Sequence, residues 1–320
     1  MSVLTDTADT VPGPAVPPRA ARPTQPFLWS IRREIWENAS LYIAPVVAAG
    51  LTALAFAIVM IKAPIQGGPL DASHVEMSDG PVLILLAGSG FILIAVTYLV
   101  GLFYCLGALQ HERRDRSILF WKSLPVSDVT TVFAKVAIPM LVLPAITVGV
   151  MIITQILLLA GGGAVLAAHG VDPMLALGQP DVLRAELLLI YLVFVLALWH
   201  APIYGWALLV SGWARNVSLL WAVLPPLAVV VFQQLVFGDD SVGRIINHRV
   251  FAGPVAAFRM APEEISRLRG INVIELHSDM AMPHIDLMGY LASPGLWIGL
   301  ALAAAFIGAA IWLRRYRDPV

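Results

Sequence analysis

The stretch Gln110–Lys135, QHERRDRSILFWKSLPVSDVTTVFAK, decides how the rest of this chain is read. It is the densest cluster of charge in a 320-residue sequence of which only 13% is Asp, Glu, Lys or Arg, and a long apolar run lies on either side of it. A charged loop between two such runs belongs at a membrane surface. Inside it, the basic residues Arg113, Arg114 and Arg116 are followed at once by an apolar knot of Ile118, Leu119, Phe120 and Trp121. Ser117 can start a short helix by accepting a backbone N–H, Pro125 prevents that helix from running on, and Ser127 or Asp128 can cap the next one. The pattern predicts a span that ends, a brief surface helix, a proline break and a new span. An aromatic knob held just outside a bilayer suits docking into a groove on a soluble partner. The same residues also suit a plain interfacial segment, with Trp121 at headgroup level and arginines on lipid phosphates.

Composition sets the same scene. The chain is 59% hydrophobic with a mean hydropathy of +0.82, against roughly 45–50% apolar residues in soluble domains. A net charge of -1 lacks the basic footprint that nucleic acid demands, so no nucleic-acid partner is expected. The single cysteine, Cys105, sits inside an apolar run and leaves neither a disulfide framework nor a thiolate metal site.

Six apolar runs, at about 41–61, 82–109, 132–160, 187–210, 217–237 and 296–313, each approach the ~20 residues a bilayer core requires. Lys and Arg collect on one side of them: Arg19, Arg22, Arg32, Arg33, Arg113, Arg114, Arg116, Lys122, Lys135, Arg215, Arg314, Arg315 and Arg317, against Lys62 and Arg184 in the first two loops of the other side. That asymmetry predicts both termini in the cytoplasm. The last outer segment holds further arginines, but it is close to the ~60-residue length at which loop charge stops orienting spans.

The chain divides accordingly. Residues 1–26, rich in Pro, Ala and Thr, read as a disordered tail. Residues 27–40 read as an amphipathic interfacial helix: Phe27, Leu28, Ile31 and Ile35 share one face, while Arg32, Arg33, Glu34 and Glu37 lie largely elsewhere. Residues 41–237 hold the first five spans and the loop at 110–131. An outer insertion follows at 238–295, with a helical pattern from Ser241 to Phe258, a helix start at Pro262-Glu263-Glu264, and breaks at Pro283 and Pro294. Residues 296–320 form the last span and a basic tail.

Few motifs carry chemistry. Gly161-Gly162-Gly163 is followed by Ala164 and Val165 rather than the Lys-Ser/Thr of a phosphate loop, so no ATP site is expected on this chain. Glu275, His277, Asp279, His284 and Asp286 are the one cluster of metal-ligand types, but their spacing fits no standard site and they read as solvated polar residues. His200 stands in a nearly charge-free span without a visible relay partner and reads as a packing residue, which argues against a proton-coupled carrier. Pro202, near mid-span, should free a carbonyl and kink its helix. Gly295, Gly299, Ala303, Ala304 and Gly308 allow close helix approach. Thr147, Gln155, Gln233 and Gln234 are scattered polar residues among alkyl and aromatic side chains.

Three stretches carry a resemblance. The run E-R-R-D-R-S-I-L-F-W-K-S-L-P-V-S-D, with Lys135 one to two turns into the next span, resembles the first cytoplasmic loop of bacterial type-2 ABC exporter permeases. R-R-E-I-W-E-N followed by I-A-P resembles their entry to the first span, and W-H-A-P-I-Y-G-W with Ser211-Gly212-Trp213-Ala214-Arg215 resembles their fourth span and inner turn. The resemblance covers about a quarter of the chain, in matching order. It implies an all-α integral membrane protein with six transmembrane helices, an amphipathic N-terminal helix, a short cytoplasmic coupling helix and a helical periplasmic insertion before the last span. It further implies a homodimer, or a pseudo-dimer with a related permease, in the bacterial inner membrane. Two separate ATP-binding subunits would hold the ATP and Mg, this chain carrying neither cofactor nor catalytic residue. Docking would fall to Glu112, Arg113, Arg114, Asp115, Arg116, Ser117, Ile118, Leu119, Phe120, Trp121, Lys122, Leu124 and Pro125. Arg32, Arg33, Glu34 and Trp36 would belong to a lateral brace, membrane lipid would contact both, and the helix kinked at Pro202 would move as the path opens. A static kink is the other reading of Pro202. An amphipathic, peptide, antibiotic or lipid-like cargo fits equally. The alternative is a membrane anchor or assembly factor that docks a soluble partner and transports nothing.

Overall fold

The computed structural model describes residues 25–62, 80–114, 126–168, 170, 172–174, 180–252, 257–259 and 284–316. The tail, the whole loop from Asp115 to Pro125, the expected helix start at Pro262-Glu263-Glu264, the expected break at Pro283, and Glu275, His277 and Asp279 lie outside these residues. Helices dominate: α1 (Pro26–Glu37), α2 (Ser40–Lys62), α3 (Gly80–Ala108), α4 (Gln110–Arg114), α5 (Asp128–Ala137), a π-turn (Ile138–Val142), α6 (Leu143–Ala168), α7 (Pro180–Trp199), α8 (Ala201–Trp213) and α9 (Ser218–Phe237). Then come α10 (Ser241–Asn247), a second π-turn (His248–Ala252), strands β1 (Phe258–Arg259) and β2 (His284–Ile285), α11 (Leu287–Ala292) and α12 (Pro294–Tyr316). Among the described residues six helical stretches are long and apolar enough to cross a membrane, and together they make this an integral, multi-pass membrane protein.

Local chemistry explains where the elements begin and end. Ser127 caps α5 by accepting the Thr130 N–H at 3.0 Å, so Asp128 is left to act elsewhere. From Asp128 to Ala168 the third span is continuous, and its π-turn sits where Pro139 lacks the N–H an α-helix needs. The fourth span is two helices. His200, with ψ near 2°, interrupts it, and Pro202 falls in the first turn of α8, where a missing N–H is tolerated. The His200 ring packs 4.3 Å from Tyr98, and Nδ1 donates to the Leu196 carbonyl at 2.8 Å, so both its packing and its polarity are absorbed locally. Val217 adopts a left-handed φ of 44°, rare for a β-branched residue, in the turn that starts α9.

Two expectations for the outer segment change. The helical run from Ser241 does not include Phe258, which instead pairs with Ile285 across a two-residue antiparallel ladder. Pro294 opens α12 rather than breaking the chain, because the first helical position has no intrahelical donor to lose.

The core falls into three clusters. At the charged end Leu41, Tyr104, Cys105, Val132, Leu143 and Leu208 pack together, with Ile31 and Ile35 of α1 laid against them. Leu93, Met151, Leu189 and Val193 form the middle. Val195, Trp199, Ala257, Tyr290 and Leu296 close the opposite end. Between α3 and α6, Thr97 and Thr147 share a hydrogen bond and Gln155 donates to the Leu86 carbonyl at 3.4 Å, so two of the scattered polar residues join helices. Gln233 instead holds the Asp239–Val242 turn. Gly205 lets α8 meet α12 closely: a Cβ there would stand 3.2 Å from the Ala303 carbonyl oxygen.

Candidate functional site

Among the described residues three cations and three carboxylates gather at the charged end of the bundle, drawn from four elements, with the half-exposed Glu37 a further 3.6 Å contact of Arg33. Glu34 and Lys135 are each only 2% exposed, and Glu112 and Arg314 7%. Lys135 lies at the centre, its Nζ 2.7 Å from Glu34 Oε1 and 3.0 Å from Glu112 Oε1. Arg33 reaches the same two oxygens at 2.7 and 3.2 Å. Arg314 donates through Nη1 to Glu112 Oε2 and through Nε to Asp128 Oδ1 at 2.9 Å. Tyr104 completes Glu34 by donating to Oε2 at 2.8 Å.

A lone buried ion costs several kcal/mol on the ~20 kcal/mol Born scale, so this group persists only because its charges balance and its lone pairs are used. The helices supply the placement. In α1, Glu34 lies between Ile31 and Ile35 on the face that packs inward. In α5, Lys135 lies two turns from the Ser127 cap, beside buried Val132. Burial alone would push the Glu34 carboxyl up. Lys135, by charge and hydrogen bond, and then Arg33 outweigh it and hold the carboxyl below its ordinary range. Burial opposes the charge on Arg33 too, but the hydrogen bond and charge of Glu34, with Glu37 and Glu112, raise its guanidinium above its ordinary value.

This geometry corrects three readings. Glu34 is not on a water-facing side of α1; it is core. Glu112 points into the plate that these paired charges form, rather than outward. Arg113 turns inward too, its Nη2 donating to the carbonyls of Ser211 at 3.2 Å and Ala214 at 2.6 Å. Arg114 is exposed, as are Trp29 and Trp36 of α1, across which Arg32 stacks at 5.5 and 4.4 Å. Sequence reasoning missed the plate, although one signal pointed to it: a lysine inside an apolar run needs a carboxylate at the same depth.

A second polar knot ties the loop's entry to the turn between α8 and α9. Ser211 Oγ accepts the N–H groups of Leu109 and Gln110 at 2.8 and 2.9 Å. Gln110 in turn accepts from Ser218 Oγ at 2.7 Å and donates to the Arg215 carbonyl at 3.2 Å. The residues on both sides of the loop are therefore anchored at this end of the bundle, Gln110 and Glu112 before it and Asp128 and Lys135 after it. Among the described residues no group of three or more His, Cys, Asp or Glu is arranged to hold a metal; His284 lies in β2, and Asp286 caps α11 by accepting from Gly289 N–H at 2.9 Å. Comparison with family models, with curated proteins and with solved structures gives no match.

Proposed function

We propose that this chain is the membrane permease subunit of an ATP-driven exporter, moving an amphipathic, peptide, antibiotic or lipid-like cargo. The observation that carries the reading is the loop between Glu112 and Asp128: its sequence resembles the coupling loop of type-2 ABC exporter permeases, and both its anchors sit in one plate with α1 and α12. In this reading two copies of the chain, or this chain and a related permease, pair in the bacterial inner membrane with both termini cytoplasmic. Ile118, Leu119, Phe120 and Trp121 dock on a separate ATP-binding subunit, which holds the ATP and Mg. Exposed Arg114, with Asp115 and Arg116, adds charged contacts. A push on the loop then reaches Glu112 and Asp128 together. Balanced buried ions resist separation, so the push displaces α1, α5 and α12 as a unit rather than bending the loop.

Purification of the full chain from native membranes in mild detergent, with mass spectrometry and an ATPase assay on the eluate, tests the reading. A stoichiometric soluble partner with Walker motifs and vanadate-sensitive hydrolysis is expected, and Phe120→Ala with Trp121→Ala should release it while leaving the spans folded. A preparation that carries no ATPase, also after crosslinking in intact cells, would instead favour a non-transporting membrane anchor.

A further inference from the structure

Next to the Arg314–Asp128 pair, toward the middle of the bundle, α5 with its π-turn, α8 and α12 enclose an apolar cleft of about 270 Å³. Phe133 and Met140 form one wall, Tyr204 and Leu208 the back, and Ala304 and Gly308 the wall on α12. The α12 wall runs from Leu300 to Ile311. At 1.5 Å per residue that is about 16 Å, close to half of the ~30 Å hydrocarbon core and so the depth of one leaflet. Leu300, Ala304, Ile307 and Ile311 repeat at three to four residues, and one more turn of the same stripe reaches Arg314 and Arg315. Arg314 is consumed in the plate, whereas Arg315 is exposed, with its guanidinium 5.5 Å from the Tyr316 ring. The cleft is therefore an apolar slot with a cation at its end.

We infer that this slot seats one acyl chain of an anionic phospholipid from the leaflet at the charged end of the bundle, with the lipid phosphate at Arg315. A helix of ~10 Å diameter over the same length would fill several times the slot's volume, so what enters the slot itself is no thicker than a single alkyl chain. An empty slot would forfeit dispersion contacts along both walls. The charge at the end selects the headgroup: an exposed arginine at a membrane surface favours a phosphate with no compensating cation. Because α5 and α12 both belong to the ionic plate, the bound chain lies between two of the helices that the plate ties together. The inference stands independently of the exporter reading.

Native mass spectrometry of the delipidated full-length protein, titrated separately with phosphatidylglycerol and with phosphatidylcholine of the same acyl chains, tests it. The wild-type protein should retain one phosphatidylglycerol in preference. A Cβ at Gly308 would meet nothing within 4 Å, so Gly308→Leu fills the slot without moving backbone. It should weaken both lipids about tenfold, the worth of roughly two displaced methylenes. Should that variant fail to fold, Ala304→Leu on the same wall carries the same expectation. Arg315→Gln should reduce the preference for phosphatidylglycerol about fivefold and leave phosphatidylcholine unchanged, as one surface cation predicts. Phosphatidylglycerol binding that survives the slot-filling variants, or that does not exceed phosphatidylcholine binding in the wild type, overturns the inference. Loss of a dimer in Gly308→Leu with lipid binding intact also overturns it, and assigns the face to a second copy of the chain.

Discussion

The two ends of the bundle are held by opposite means. At the charged end, buried Glu34, Glu112, Lys135 and Arg314 and half-buried Asp128 and Arg33 meet in one set of paired charges. At the other end aromatic contacts prevail: Tyr290 donates to the Val195 carbonyl at 2.9 Å, Arg249 stacks 4.0 Å from the Trp199 ring, and Tyr191 meets Phe258 edge-on. There the Glu186 carboxylate oxygens and Arg249 Nε are buried without a hydrogen-bond partner among the described residues. Balanced ions fail all at once, since removing one member exposes the rest to the full cost of burial. Aromatic contacts fail by increments. The charged end is thus suited to moving as one piece, and the opposite end to yielding.

The comparison can be broken hardest at Lys135. Lys135→Met strands Glu34 and Glu112 together and should destabilise the protein by about 3–5 kcal/mol, as for other broken buried pairs. Thermal unfolding in detergent reads this loss. Adding Glu34→Leu to that variant restores charge balance and should recover most of the loss, so a double-mutant cycle that comes out additive would mean the two side chains are not coupled.

Acid sharpens the contrast. Because the fold holds Glu34 below its ordinary carboxylate value, its contribution is complete above the unfolded pKa of about 4.3 and is lost as pH falls through the depressed folded value. Melting temperature should therefore drop as pH falls below about 4.3, and Glu34→Gln, weaker at neutral pH, should show a shallower acid drop. The smallest effect belongs to the opposite end. Tyr290→Phe removes one hydrogen bond and leaves the ring in place, at a cost of about 1 kcal/mol by the same melting assay. It should leave the acid profile unchanged.

Much of the architecture was legible along the chain. All six spans appear near the expected apolar runs, because a bilayer demands about 20 apolar residues per crossing whatever the partners. Where boundaries moved, local rules that depend on context decided. The third span runs on past residue 160 to Ala168, with Gly161 and Gly162 helical beside the Phe56 ring of α2. Pro294 and Pro202 both read as disruptive and both landed in first turns, where their missing N–H is harmless. The plate was the least legible part: Glu34 looked like part of a solvated face, and its partners Tyr104 and Lys135 lie 70 and 101 positions away along the chain.

The sequence by itself determined the class of this protein, its number of spans and the segregation of its charge, because these follow from summed hydropathy and need no knowledge of neighbours. Only the tertiary structure decided which charges face water and which are core. That choice rests on pairing between residues far apart in the chain, and an ion is buried or exposed according to whether an opposite ion arrives beside it.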